Sequence, residues 1–244
     1  MTVAVASLGC DRKAAGGFPA WPRLFELVGD YSIYLNYEMT STREDDSNPV
    51  DPTFEVYRDM CALAGDREFA FDEWYWGEQG AYWRARPKFD QDQARLVPIV
   101  TARNMCIDYA LRTGASHLLF IDADVIPPVD VIPKLMSLGH TLVGGIVPGR
   151  GCHKDLKYIF GEEREFSTGS AQVLEVSHGT CGCMMIERRV FDRIRFRYSI
   201  DHGLSEDPAY AADVLALFGE KMWLHKGVVC EHIGDLASTE VSQF

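Results

Sequence analysis

The feature that most constrains the fold is an apolar run that ends in two aspartates, SHLLFIDADVIPP at residues 116–128. A continuous apolar run of this length is typical of a strand buried on both faces of a sheet. Burying an unpaired carboxylate is costly, so Asp122 and Asp124 require compensation by an arginine, a helix N-terminus or a metal ion. Side chains two residues apart on a strand share a face, so we expect both carboxylates to point the same way at the strand end.

Strand-like and helix-like segments alternate around this run. Strands are predicted at 3–8, 32–38, 117–124, 141–149, 156–160, 171–177 and 222–230, helices at 22–29, 92–113, 129–138 and 207–218, and a strand that continues into a helix at 181–194. Because Pro98 interrupts the second helical stretch, that helix is expected to begin near Ile99. Alternation of this kind predicts an α/β fold with a largely parallel sheet covered by helices.

Composition and charge exclude several classes of protein. The 244 residues suit one sizeable α/β domain, and a formal net charge of -12 argues against a general nucleic-acid binder. Seven scattered cysteines indicate free thiols in a reducing cytoplasm. The first residues, MTVAVASLGC, lack a basic region and read as a first strand, and no run approaches the ~18 apolar residues of a membrane span. We therefore expect a cytoplasmic protein.

One segment does not fit a minimal α/β plan. Residues 44–92 contain thirteen acidic and five basic residues, and FAFDEWYWGEQGAYW (69–83) lies in their middle. This segment is either an ordinary surface insertion with its own aromatic cluster, or a wall or lid on which an acceptor ring could stack. The sequence favours neither interpretation.

Three blocks of sequence carry a family resemblance. TARNMCIDYALRTGASHLLFIDADVIPP (101–128) resembles the centre of a GT-A glycosyltransferase, with its Ala-Arg-Asn helix, apolar strand and Asp-x-Asp (DXD) motif. HGTCGCMMIERRVFDRI (178–194) is similar to the glycine-rich strand and helix start of that family. LSEDPAYAADVLALFGEKMWLHKGVVCEHIG (204–234) resembles its Glu-Asp helix, apolar strand and terminal histidine. Three ordered blocks are far more specific than any one motif.

The resemblance, to family-2-like members of the nucleotide-diphospho-sugar transferase superfamily, implies a fold for the whole chain. It implies a single Rossmann-like GT-A catalytic domain over residues 1–244, with the acidic, aromatic-rich insertion at about 44–92. The implied central sheet is mostly parallel with helices on both faces, and a small antiparallel sheet lies near the C-terminal half.

The resemblance also implies a metal site. Asp124 would ligate Mn²⁺ or Mg²⁺ on the donor diphosphate, and Asp122 would face the donor ribose or support the same metal shell. His232 would supply a further ligand, although a lone histidine is commonly an ordinary surface residue. His225 lies on the same segment and is the weaker candidate.

Donor-binding residues follow from the same match. Arg103 and Asn104 occupy the nucleotide-side helix, where an arginine either binds a phosphate or pairs with Asp122. Glu38, which closes the second predicted strand, would contact the nucleoside. Gly179 would let a strand pass close to the donor sugar.

Glu206 and Asp207 are the predicted catalytic residues. A carboxylate at the Asp207 position is the base of inverting members of the fold. Ser205-Glu206-Asp207-Pro208 is also a good helix N-terminus, and both roles are compatible. We favour an inverting reaction over a retaining one.

The leading prediction is a metal-dependent glycosyltransferase that moves a sugar from a UDP- or GDP-sugar to a hydroxyl of a glycan, a lipid or a small molecule. The protein is a possible homo-oligomer, and the sequence does not decide its oligomeric state. A nucleotidyltransferase resembling sugar-nucleotide pyrophosphorylases is one alternative, with LGCDRKAAGG (8–17) as a faint triphosphate loop. A non-catalytic nucleotide-sugar-binding module is the other.

Overall fold

The computed structural model describes residues 2–10, 20–39, 59–64, 69–75, 88–148, 163–168, 171–197 and 205–233. The strands in these ranges are β1 Val3–Cys10, β2 Tyr31–Met39, β3 Phe69–Tyr75, β4 His117–Ile121, β5 Val125–Ile126, β6 Leu142–Ile146, β7 Glu163–Thr168, β8 Ala171–Val176, β9 Cys183–Glu187, β10 Met222–Val229 and β11 Glu231–His232. The helices are α1 Ala20–Leu24, α2 Lys88–Arg112, α3 Val131–Met136, α4 Arg188–Phe191 and α5 Glu206–Phe218, and residues 59–64 are also helical.

A nine-stranded sheet in the order β3-β2-β1-β4-β9-β6-β10-β8-β7 forms the centre of the described fold. The pairs among β1, β2, β3 and β4 and the β6–β10 pair are parallel, and the others are antiparallel. Seven strands therefore run in one direction, and only β8 and β9 of the described strands oppose them. A separate two-stranded antiparallel sheet joins β5 and β11. The predicted α/β fold with a mostly parallel sheet is confirmed.

Alternating apolar side chains make the sheet the middle layer of the fold. Along β1, Val3 and Val5 lie in one buried cluster, whereas Ala4 and Ala6 lie in a second. The first cluster also contains side chains of α1 and α3, and the second contains side chains of α2 and α5. Strands with apolar residues on both faces need helices on both faces to exclude water, and this arrangement supplies them.

The long helix α2 departs from the sequence prediction. It begins at Lys88 and continues through Pro98, instead of beginning near Ile99. A proline removes one backbone donor and strains the preceding turn. The helix tolerates this cost because the residues after the proline are firmly buried, with Cys106, Ile107 and Ala110 all 0% exposed. Burial on the core side outweighs the loss of one hydrogen bond.

The acidic segment at 44–92 contributes to the sheet in part. Its residues 69–75 form β3, which pairs in parallel with β2 from Ile33↔Phe69 to Met39↔Tyr75. The aromatic residues at 76–83, the predicted strand at 156–160 and the faint triphosphate loop at 11–17 lie outside the described residues. The single-domain prediction and the role of the insertion stay predictions.

The close packing around Gly144 of β6 leaves no space for a larger residue, and this can be tested. A Cβ atom at this position would lie 2.9 Å from the Cys183 carbonyl oxygen, and backbone cannot easily move aside. We expect Gly144→Ala to lower the free energy of unfolding by about 1–3 kcal/mol in urea denaturation. Gly182→Ala is the matched control, since its Cβ would meet neighbours at 3.4 Å or more. Equal effects of the two substitutions would contradict the packing account.

Candidate active site

Asp122 and Asp124 lie in a turn and not on a strand. β4 ends at Ile121, and the backbone N–H of Val125 donates to the carbonyl oxygen of Asp122 at 2.9 Å. The predicted strand 117–124 is therefore too long at its end, and strand alternation does not determine how the two carboxylates are oriented. Asp122 and Asp124 instead contact different partners.

Asp122 pairs with a buried arginine. Nη2 of Arg103 on α2 donates to Oδ1 of Asp122 at 2.8 Å, and the Arg103 side chain is only 4% exposed. The guanidinium carbon also lies 5.0 Å from the centre of the Phe120 ring. Of the two roles that the sequence left open for this arginine, the structure shows the pairing with Asp122. That ion pair compensates the first of the two carboxylates.

Asp124 lies beside His232. Residues Glu231–His232 return as β11 and pair antiparallel with β5, with His232 opposite Val125. The backbone N–H of Ile233 donates to the Asp124 carbonyl oxygen at 3.0 Å. These backbone bonds bring Nε2 of His232 to 3.4 Å from Oδ2 of Asp124. Two of the three predicted metal ligands are thus brought together.

The tautomer of His232 suits a metal ligand. Its Nδ1 lies 2.9 Å from the carbonyl oxygen of Pro148, which can only accept, so Nδ1 donates the proton. When the ring is neutral, its lone pair is then on Nε2, the nitrogen that faces Asp124. A hydrogen bond from the second ring nitrogen to a carbonyl is the usual orientation of a metal-binding histidine. A carboxylate oxygen and an imidazole nitrogen can both ligate a divalent cation, and the remaining positions would be left for donor oxygens and water.

The third predicted ligand does not join this pair. Within the described ranges, no three or more His, Cys, Asp or Glu side chains form a group that could hold a metal ion. Asp122 is bound to Arg103, and this pairing weakens its case as a direct ligand. His225, the weaker candidate, accepts the backbone N–H of Gly227 at its own Nδ1 at 3.0 Å.

The predicted catalytic carboxylates lie at the start of α5. Oδ2 of Asp207 accepts the backbone N–H of Cys181 at 3.1 Å, whereas its buried Oδ1 has no hydrogen-bond partner in the described part of the chain. Glu206, the preceding residue, is only 7% exposed. The sequence did not predict the hydrogen bond from the Cys181 N–H to Asp207, because every residue except proline has a backbone N–H and the residue type therefore gives no indication of it.

Burial dominates the electrostatics of this pair. It raises the pKa of Glu206 from 4.5 to about 7, with Asp207 adding to the rise and Arg103 opposing it. Burial likewise raises the pKa of Asp207, against the lowering effects of Arg103 and Cys181. Burial alone would lower the pKa of Arg103, but Asp122 and the neighbouring acids raise it, so the arginine stays charged. A carboxylate that titrates near neutral pH is well suited to proton transfer.

This shift predicts a pH dependence of stability. The folded protein holds a proton on Glu206 that the unfolded chain releases, so the stabilisation is present below pH 4.5 and is lost as the pH rises through about 7. The change is on the order of 3 kcal/mol at 1.36 kcal/mol per pKa unit. Urea denaturation at pH 5 and pH 8 should show the loss, and Glu206→Gln should reduce it. The exposed Glu26→Gln is the control; an unchanged pH dependence in Glu206→Gln would contradict the assignment.

The other predicted donor-binding residues have less direct support. Asn104 donates to the Phe196 carbonyl oxygen at 3.1 Å and accepts the Phe196 N–H at 2.9 Å, so its amide fixes that loop. Gly179 is buried, and a Cβ there would meet the end of the Met222 side chain at 2.7 Å. Glu38 lies on β2 opposite Cys10 and Trp74, with its side chain outside the described part. Their donor contacts stay predictions.

Comparison with known proteins identifies the fold. The sequence matches no protein-family model and no curated protein. S. aureus TarS 1–349, solved in complex with UDP-GlcNAc, matches with a TM-score of 0.51 at 10% identity, over 96% of this chain and 60% of that one. UDP-glucose pyrophosphorylase complexed with UDP-glucose matches with a TM-score of 0.50 at 7% identity, over 100% of both chains.

These likenesses show the fold. The chain has a GT-A-like α/β fold, as its three sequence blocks predicted. The two neighbours have different names and share one architecture, so the choice between their activities depends on the residues of the site. In the described part of the chain, no helix has the length and apolar character that a membrane span requires.

Proposed function

We propose that the protein is a metal-dependent glycosyltransferase that moves a sugar from a nucleotide-diphosphate sugar to an acceptor hydroxyl. The observation that carries this proposal is the Asp124–His232 pair, held at 3.4 Å by the docking of β11 on β5. Ligands of open α/β sheets bind at the carboxyl ends of the strands, and Asp124 directly follows the end of β4. A divalent ion held at that position would neutralise the developing charge of a leaving diphosphate.

Some of the site residues would act on the sugar donor and others on the acceptor. Asp124 and His232 would hold the Mn²⁺ or Mg²⁺, which when bound offsets the negative charge of the diphosphate. Asp122, oriented by Arg103, would contact the ribose of the donor. Asp207 and Glu206 would take the proton of the acceptor hydroxyl as its oxygen attacks the anomeric carbon. The sugar–phosphate bond breaks as the new glycosidic bond forms, and a single displacement of this kind inverts the configuration.

The donor is proposed to be a UDP- or GDP-sugar. UDP-sugars are the first choice for assay, since both fold neighbours were solved with one, UDP-GlcNAc or UDP-glucose. The acceptor is proposed to be a glycan, a lipid or a small molecule, and the only property proposed for it is a free hydroxyl group. A cytoplasmic location and the oligomeric state stay predictions.

A product assay separates the three candidate functions. The protein is incubated with UDP-GlcNAc, UDP-glucose or GDP-mannose with and without Mn²⁺, and released UDP or GDP is measured. A parallel reaction contains UTP and glucose 1-phosphate, and released pyrophosphate is measured. We expect metal-dependent nucleotide release in the first set. Pyrophosphate in the second would indicate a nucleotidyltransferase, and donor binding without any release would indicate a binding module.

A further inference from the structure

Phe196, in the chain that follows α4, is fastened to α2 by one side-chain amide. Nδ2 of Asn104 donates to the carbonyl oxygen of Phe196 at 3.1 Å, and Oδ1 accepts the Phe196 N–H at 2.9 Å. Because both ends of the amide bond the same residue, Asn104 fixes the position and the direction of the Phe196 backbone together. The Asn104 amide therefore has its partner inside the protein.

The ring of Phe196 packs between β4 and α5. Its centre lies 5.5 Å from that of Phe120, at an interplanar angle of 89°, and 4.1 Å from that of Tyr210, at an angle of 18°. All three rings are buried. Aromatic pairs contribute beyond the area they bury and prefer defined ring orientations. Phe196 therefore sets the spacing between the strand that ends just before Asp122 and the helix that carries Asp207.

The start of α5 depends on such contacts, because the hydroxyl of its N-cap residue, Ser205, makes no capping hydrogen bond in the described part of the chain. Tyr210 and Asp207 are three residues apart on the helix, so their side chains lie on the same face. On that face, Tyr210 packs against the Phe196 ring. Asp207 accepts the Cys181 N–H at 3.1 Å. A displacement of Phe196 would therefore move Asp207 relative to Cys181.

We propose that Asn104 is a positioning residue for the acid pair of α5, and that it holds the start of this helix at the site through Phe196 and Tyr210. The proposal rests on the proposed function for the role of Asp207 as a base. Asn104 then acts on the acceptor side of the reaction, although the sequence placed it with the donor.

Loss of this positioning should lower the rate and spare donor binding. A displacement of about 1 Å at a reacting group can cost on the order of a hundredfold in rate. The proposed donor contacts, at Asp122, Asp124 and His232, come from other elements of the fold. Donor affinity should therefore change little when α5 moves.

Two variants break the chain of contacts at opposite ends. Asn104→Ala deletes both bonds to the backbone, and Tyr210→Leu deletes the ring on which Phe196 stacks. Tyr210→Phe is the conservative counterpart, since the Tyr210 hydroxyl is buried and has no hydrogen-bond partner among the described residues. Asp213→Asn is the matched control, because it removes only the solvent-exposed ion pair that joins Arg197 to α5.

Amide hydrogen exchange, followed by NMR, reports the position of Asp207 without any substrate. Asp207 accepts the Cys181 N–H, so this amide should exchange faster when the start of α5 moves away. The Cys230 N–H donates to the Ile146 carbonyl oxygen at 2.9 Å and is the reference for the stability of the rest of the fold. A general loss of stability accelerates both amides, whereas a local displacement accelerates only that of Cys181.

The same variants are assayed with UDP-GlcNAc and Mn²⁺, with donor affinity from calorimetry and with kcat and KM from UDP release. For Asn104→Ala and Tyr210→Leu we expect kcat at least about tenfold lower, and affinity and KM within about threefold of the wild type. Their Cys181 exchange should be at least about tenfold faster relative to the reference amide. Tyr210→Phe and Asp213→Asn should match the wild type in every measurement.

Three results would overturn the proposal. The first is an unchanged ratio of Cys181 exchange to the reference amide in Asn104→Ala. The second is faster Cys181 exchange with an unchanged kcat. The third is a tenfold loss of UDP-GlcNAc affinity with an unchanged kcat, which would make Asn104 a donor ligand.

A second variant and the substrate-free measurement keep the test decisive. If Asn104→Ala does not fold, Asn104→Asp keeps an oxygen for the Phe196 N–H, loses the donor to its carbonyl, and carries the same comparison. Faster Cys181 exchange in a protein that turns over no donor would support the positioning of α5 while the proposed function fails.

Discussion

Asp124→Asn should reduce nucleotide release from the accepted donor by on the order of a hundred- to a thousand-fold at saturating Mn²⁺. The substitution preserves shape but removes the charge that faces His232 at 3.4 Å. A metal ion bound to a leaving diphosphate contributes several kcal/mol, and each 1.36 kcal/mol corresponds to a factor of ten in rate. The measurement is initial-rate kinetics over a Mn²⁺ series, where the variant should also need more metal for half-maximal activity.

The control for this variant is Asp130→Asn. Asp130 lies in the same stretch of chain, has a side chain that is 45% exposed, and pairs with Lys134 at 2.9 Å. Its loss should leave both the rate and the metal requirement unchanged. Unchanged metal dependence in Asp124→Asn, with thermal stability equal to the wild type, would remove Asp124 from the metal site.

Asp207→Asn should lower transfer to the acceptor by about a hundred- to ten-thousand-fold, the usual range for removal of a general base. An asparagine at this position can still accept the Cys181 N–H, which Asp207 now accepts at 3.1 Å, so the start of α5 should keep its structure. It cannot take a proton from a hydroxyl. We therefore expect donor affinity, measured by calorimetry, to stay within about threefold of the wild type, since binding does not need the base.

Asp213→Asn is the control on the same helix. Asp213 accepts two hydrogen bonds from Arg197, at 2.7 and 2.8 Å, and lies outside the carboxylate pair. Its substitution should leave transfer unchanged. Glu206→Gln shows which of the two acids is the base. If this variant loses less transfer activity than Asp207→Asn does, Asp207 is the group that accepts the proton. A larger loss would assign the base to Glu206.

The sheet and its layers could be predicted from the sequence because local patterns determine them. Leu118 and Phe120 lie in one buried cluster and Leu119 and Ile121 in the other, as an apolar run between two helix layers requires. Helix α5 was predicted at 207–218 and begins one residue earlier, at Glu206. Patterns with a period of two or of 3.6 carry this information directly.

The site could be predicted only in part, since its geometry depends on long-range contacts. Asp124 and His232 lie close together because β11 pairs with β5. In the sequence, only the family resemblance indicated that these two residues would meet. Asp122 and Asp124 have different partners and both lie beyond the end of β4, which a continuous apolar run does not reveal. The burial of Glu206, and hence its raised pKa, depends on residues far away in the chain.

Metal-dependent donor binding is the decisive measurement for a divalent-ion site at Asp124. Calorimetry measures the affinity for UDP-GlcNAc, UDP-glucose and GDP-mannose, each in Mn²⁺ and in EDTA, for the wild type, Asp124→Asn and Asp130→Asn. We expect at least one donor to bind the wild type and Asp130→Asn at least about tenfold more tightly with Mn²⁺, and we expect Asp124→Asn to lose this difference. Absence of binding for all three donors in Mn²⁺, or equal affinity in Mn²⁺ and EDTA, would contradict it.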